Sequence, residues 1–128
     1  AYAVERTKIQ DVLNKTVSTL SRGYKQRLGV AQAILNEPRI LILDEPTNGL
    51  DPAQILEMRA LIKELSETST ILLSTHILQE VQAICRRVLI VSAGKLALDA
   101  ALSDLQNCGR IRICSSADPD SFSKALNK

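Results

Sequence analysis

The sequence has little cysteine, little surplus charge and no long apolar run. Its three cysteines, Cys85, Cys108 and Cys114, show no CxxC spacing. An odd count without that spacing argues against a disulfide framework or a zinc site. Reduced, partly buried thiols of a cytosolic protein fit better. Sixteen Lys and Arg against 14 Asp and Glu leave a net charge of +2, too small to make a case for nucleic acid or a membrane surface as a direct partner. No apolar stretch approaches the ~18–20 residues of a membrane span, so a membrane role would have to come through partner proteins. The start, Ala1 to Arg6, lacks a charged-then-apolar signal layout. There is no internal repeat and no low-complexity tract.

What is present is an ordinary globular balance. The 128 residues are 45% hydrophobic and 23% charged, about one domain's worth with a modest core. Ile9, Val12 and Leu13 form a short stripe, and Asn14 to Thr19 read as a loop. Tyr24, Leu28, Ala31 and Leu35 share one face of a helix over 22–35, which Pro38 ends. Ile40-Leu41-Ile42-Leu43 is a continuous apolar run that suits a strand buried on both faces of a parallel sheet. Asp51-Pro52-Ala53-Gln54 opens a helix with a cap and a first-turn proline, and Ile55, Met58, Ile62 and Leu65 give it an apolar face. Thr70 to Ser74 and Val88 to Val91 read as second and third strands. Leu78, Val81, Ile84 and Cys85 support a helix between them, and Ala93-Gly94-Lys95 reads as a turn. Strands alternating with helices predict an α/β fold with a parallel sheet. Arg110 to Ile113 and Asp118 to Leu126 suggest a weaker strand and helix beyond a boundary near Leu105 to Gly109.

Three places along this pattern carry chemistry. Asp44 and Glu45 follow the first buried strand, where ligands of open α/β sheets bind. Neighbouring strand residues point to opposite sides. One carboxylate could hold Mg²⁺ through its water shell while the other orients a water for attack on phosphorus. A lone Asp-Glu pair before proline is more often a solvated turn. Ser21-Arg22-Gly23 precedes a helix whose free N–H groups attract phosphate, although a serine there is more often an ordinary cap. His76, the only histidine, also follows a buried strand, and a single histidine is more often structural.

Together these places are more specific than any one of them. The segment 41–51, Leu-Ile-Leu-Asp-Glu-Pro-Thr-Asn-Gly-Leu-Asp, resembles the Walker B strand and D-loop of ABC-transporter ATPase subunits. The segment 20–27, Leu-Ser-Arg-Gly-Tyr-Lys-Gln-Arg, resembles their signature sequence, and Ser74-Thr75-His76 resembles their H-loop. The signature departs from LSGGQ at Arg22 and Tyr24, a form familiar among bacterial exporters. The resemblance covers roughly residues 10–100. It implies a P-loop NTPase, RecA-like, three-layer parallel sheet with a remnant of the helical signature subdomain. Residues 1–36 would be that remnant, 37–106 the rear of the ATPase core, and 107–128 a C-terminal extension. It assigns Asp44 to the metal and Glu45 and His76 to catalysis. Ser21, Arg22, Gly23 and Asp51 would meet nucleotide held by a second ATPase subunit. Arg22, Lys25 and Arg27 would add positive potential or be solvated charges.

The implied activity is ATP hydrolysis with Mg²⁺, powering export across the bacterial inner membrane. The partners would be a second ATPase subunit and transmembrane permease subunits, with no direct nucleic acid. The location would be the cytoplasmic face of that membrane. Two alternatives have the same motifs or fewer demands: a soluble ABC-type ATPase acting on DNA or ribosomes, and a non-catalytic dimerisation or regulatory piece. No GxxxxGK[ST] loop, which cradles phosphates in this family, occurs in the sequence. The stretch is therefore expected to be a fragment, inactive alone, with sheet edges left open to another chain.

Overall fold

The computed structural model describes residues 2–106. Helix α1 (Tyr2–Thr7) and a 3-10 turn (Gln10–Val12) lead through a second 3-10 turn (Val17–Thr19) into α2 (Arg22–Ala33). There follow β1 (Ile40–Asp44), α3 (Pro52–Leu65), β2 (Thr70–Ser74), α4 (Leu78–Ile84), β3 (Arg87–Ser92), β4 (Lys95–Ala101) and α5 (Leu102–Gln106). The strand expected at 110–113 and the helix expected from Asp118 lie outside the described residues.

Local chemistry accounts for the ends of the long helices. Ser21 accepts a hydrogen bond from the Tyr24 N–H and caps α2. The Asp51 carboxylate accepts from the Gln54 N–H, and Pro52 takes the first position of α3, where its missing N–H costs nothing. The apolar face of α3 then buries Met58, Leu61, Ile62 and Leu65. These pack with Val30, Ala31 and Ile34, with Ile9, Val12 and Leu20, and with Leu41 and Leu43 of β1. Each such side chain withdrawn from water contributes about 1.5–3 kcal/mol.

The sheet departs from expectation in two ways. β1 and β2 do pair in parallel, Ile40 opposite Thr70 through Asp44 opposite Ser74. The third expected strand is not part of that sheet. β3 pairs antiparallel with β4, Arg87 opposite Ala101 and Ser92 opposite Lys95. Ala93 and Gly94 between them have φ of 48° and 73°, the left-handed pair that closes a tight hairpin. A two-residue connection can only reverse the chain, so β3 and β4 cannot run parallel. Among the described residues there are thus a parallel pair and a separate hairpin, which together do not complete the expected three-layer parallel sheet.

The second departure concerns burial. Leu41 and Leu43 are buried, but Ile40 and Ile42 are 65% and 70% exposed. Only one face of β1 is covered by the described residues. Leu35, expected on the buried face of α2, lies past the helix end and is exposed, and Leu13 is exposed as well. Cys85 is a free, half-buried thiol, and burial pushes its pKa up.

Candidate functional site

The parallel register brings the ends of β1 and β2 side by side. Asp44 stands opposite Ser74, and the Ser74 hydroxyl donates to the Asp44 Oδ1. The same hydroxyl accepts the Glu45 N–H at 3.1 Å, and the Ser74 carbonyl also accepts that N–H at 3.2 Å. One serine therefore fixes both the carboxylate of one acid and the backbone of the next.

Glu45 leaves the strand with φ of 45°. A side chain in this left-handed region costs of order 1–3 kcal/mol and persists only where its surroundings impose it. Here the imposing element is a tight turn. The Asn48 N–H donates to the Glu45 carbonyl at 3.1 Å and the Leu50 N–H to that of Thr47 at 3.2 Å. The turn directs the Glu45 side chain toward His76, whose Nδ1 lies 2.8 Å from Glu45 Oε1. A carboxylate can only accept, so Nδ1 is the donor. The other ring nitrogen, Nε2, is left for a further partner on an imidazole that is 72% exposed. Glu45 Oε2 and the Thr47 hydroxyl are buried without a hydrogen-bond partner among the described residues. The Thr75 hydroxyl accepts the Ile77 N–H, so the strand end satisfies its own backbone.

A second group gathers where α2 and α3 begin. Arg22 Nε donates to the Asn48 carbonyl at 3.0 Å, and its guanidinium covers Gly49. A Cβ at Gly49 would come within 2.4 Å of the Arg22 Cζ, and φ there is 70°, so glycine is required on both counts. Gly23 is buried against the Gln54 side chain, with 2.7 Å from a built Cβ to Gln54 Cδ. Ser21 and Asp51 act as helix caps. Lys25 donates to the Ser18 carbonyl and Arg27 pairs with Glu57, so both cations are spoken for locally.

Asp44, Glu45 and His76 are thus brought together, Arg22 reaches the turn that follows Glu45, Gly23 faces Gln54 in the first turn of α3, and Ser21 and Asp51 cap α2 and α3. Three contributors escape a reading of the sequence: the Ser74 bridge to Asp44, the buried Thr47 hydroxyl and the Gln54 contact with Gly23. The first was available in principle, since parallel pairing of 40–44 with 70–74 sets Ser74 opposite Asp44. No group of three or more His, Cys, Asp or Glu side chains that could hold a metal occurs among the described residues. A recess lined by Arg6, Arg27, Glu57 and Glu64 contains none of Ser21, Arg22, Gly23, Asp44, Glu45, Asp51 and His76. No described helix is long and apolar enough to cross a membrane.

The carboxylates stand at the C-terminal end of a parallel strand pair, the place where open α/β sheets bind their ligands. Residues 1–48 match the family model described as ABC transporter. The uncharacterized ABC transporter ATP-binding protein YdbJ of Bacillus subtilis (strain 168) is 48% identical over 101 residues, 77% of this chain and 33% of the relative. The bacitracin transport ATP-binding protein BcrA of Bacillus licheniformis is 45% identical over 104 residues, 80% of this chain and 34% of the relative. The lantibiotic transport ATP-binding protein SrtF of Streptococcus pyogenes is 44% identical over 94 residues, 73% and 41% of the two chains. The chain belongs to the ABC transporter family of ATP-binding proteins, whose fold is that of the P-loop NTPases. It spans about a third of the length of the first of these relatives.

Proposed function

We propose that this chain is the rear part, residues 37–106 with a signature remnant at 1–36, of the ATP-hydrolysing subunit of a bacterial ABC exporter. The observation that carries the reading is the contact of His76 Nδ1 with Glu45 Oε1, made by a glutamate held at positive φ beside the Asp44–Ser74 bond. Glu45 is the general base: with one hydrogen bond to His76 it keeps acceptor capacity for a proton from an attacking water. His76 orients that carboxylate and offers Nε2 toward the γ-phosphate, which it can engage as a donor when the ring is protonated. Asp44 and Ser74 would hold Mg²⁺. A single carboxylate with a hydroxyl suits this ion, which keeps several waters and takes the rest of its shell from substrate phosphates. Bound there, it would neutralise charge on the transferring phosphoryl group.

Ser21, Arg22, Gly23 and Asp51 would face nucleotide held by a second ATPase subunit. Permease subunits would couple hydrolysis to export at the cytoplasmic face of the inner membrane. The names of BcrA and SrtF, which refer to bacitracin and lantibiotic transport, favour a peptide antibiotic as cargo. A chimera tests the chemistry, with the matching 101 residues of the B. subtilis relative replaced by those of this chain. It should release phosphate from ATP with Mg²⁺, and Glu45→Gln should slow it by about 10²–10⁴-fold. A chimera that turns over equally well without the Glu45 carboxylate would sink the proposal.

A further inference from the structure

Glu80 is the one charged residue buried among the described residues, at 2% exposure. Buried carboxylates persist only when paired and hydrogen-bonded. Both of its oxygens are taken by one guanidinium. Arg59 Nη2 donates to Oε1 at 2.7 Å and Nε to Oε2 at 3.1 Å. Two parallel bonds fix orientation as well as distance.

The location of this fork matters. Arg59 lies in the middle of α3 and Glu80 in the first turn of α4, four residues after His76. Apart from the Thr75 hydroxyl on the Ile77 N–H and Ile84 against the core at its far end, α4 has few anchors. It has seven residues, its N-cap Ile77 supplies no side-chain hydrogen bond, and Glu80 is its one fully buried side chain. Leu78, which could have docked it, is exposed. α3 in turn is capped by Asp51, directly after the turn that aims Glu45. The contacts form a closed circuit from Glu45 through the turn, α3, Arg59, Glu80 and α4 to His76, and back to Glu45.

We infer that Arg59 and Glu80 are positioning residues, whose fork sets the start of α4 so that His76 Nδ1 meets the Glu45 carboxylate. Their relevance to ATP hydrolysis rests on the function proposed above, but the geometric claim does not. A fork that only stabilised the fold would leave the imidazole indifferent to its loss.

The chain contains a single histidine, so its ring nitrogens give one unambiguous pair of ¹⁵N resonances. At a mildly alkaline pH, where a free imidazole is neutral, the wild-type chain should hold the Nδ1–H form. Arg59→Ala and Glu80→Ala should shift the resonances toward the Nε2–H form that free imidazole prefers. The charge exchange Arg59→Glu with Glu80→Arg should move them back. Should the alanine variants fail to fold, Arg59→Lys decides on the same criterion, since it keeps the charge and loses the fork. Two results would overturn the inference: a folded variant that keeps the Nδ1–H form, or a wild-type chain that lacks it. The chimera's Glu45→Gln result is read from phosphate release, so failure of the ATPase reading and failure of the positioning role are told apart.

Discussion

The two strand pairs of this molecule are built on opposite terms. β1 and β2 are joined through the long helix α3 and press Leu41 and Leu43 into the core. β3 and β4 are joined by two residues and leave Leu89, Ile90, Val91 and Leu96 exposed. The first pair needs the packing of α2 and α3 to exist at all, because parallel strands cannot meet through a tight turn. The second is held by its own ladder and by an exposed fork between Arg87 and Asp99. Every strand-borne candidate residue sits at or just beyond the end of the first pair. A site that must hold Glu45 at positive φ needs a rigid support, and an open hairpin offers none.

Three perturbations should affect the two pairs unequally. Met58→Ala, in the core cluster that holds Leu41 and Leu43, should cost about 2–5 kcal/mol in urea unfolding, as core truncations do. Leu89→Ala on the hairpin should stay within roughly 0.5 kcal/mol. Equal losses would mean that the hairpin is as well packed as the parallel pair. Asp51→Ala removes the cap of α3 and should cost about 1 kcal/mol. Because α3 follows the turn that aims Glu45, the loss should also appear as faster amide exchange at Asn48 and Leu50, while β3 and β4 stay unchanged.

The third perturbation is acid. Hydrogen bonding to Arg87 holds the Asp99 carboxyl below the ordinary aspartate range. A lowered folded-state pKa means that this pair's contribution is fully present above the unfolded value. It is lost as pH falls through the folded one. Amide exchange across β3 and β4 should therefore quicken in that acid window. The change should be small and should shrink with added salt, since the pair is exposed. A hairpin indifferent to Asp99→Asn would show that its backbone ladder suffices.

Much of this was legible in the residues, and what was not has a physical cause. Caps and periodicity foretold α2, α3 and α4, because Ser21, Asp51 and Pro52 act on their own neighbours. Asp44, Glu45 and His76 stood out as candidates because each stands at a strand end, and the parallel register brings them side by side. The destination of β3 was not legible. An apolar run such as Val88 to Val91 reads alike in parallel and antiparallel sheets, and Leu96 to Ala100 was too mixed to announce a partner. Two-face burial of Ile40 and Ile42 failed because burial belongs to what packs on a strand, which the strand itself does not encode. Arg22 pointed two ways in the sequence, to phosphate or to solvent. Its bond to the Asn48 carbonyl is long-range and left no local trace.

If Glu45 and His76 act as one unit, a double-mutant cycle in the chimera will show it. Residues that act together give non-additive losses. Phosphate release would be measured for Glu45→Gln, His76→Ala and the pair. The double variant should be about as slow as Glu45→Gln alone. If the two losses multiply, the contact between them is incidental and the two residues work apart.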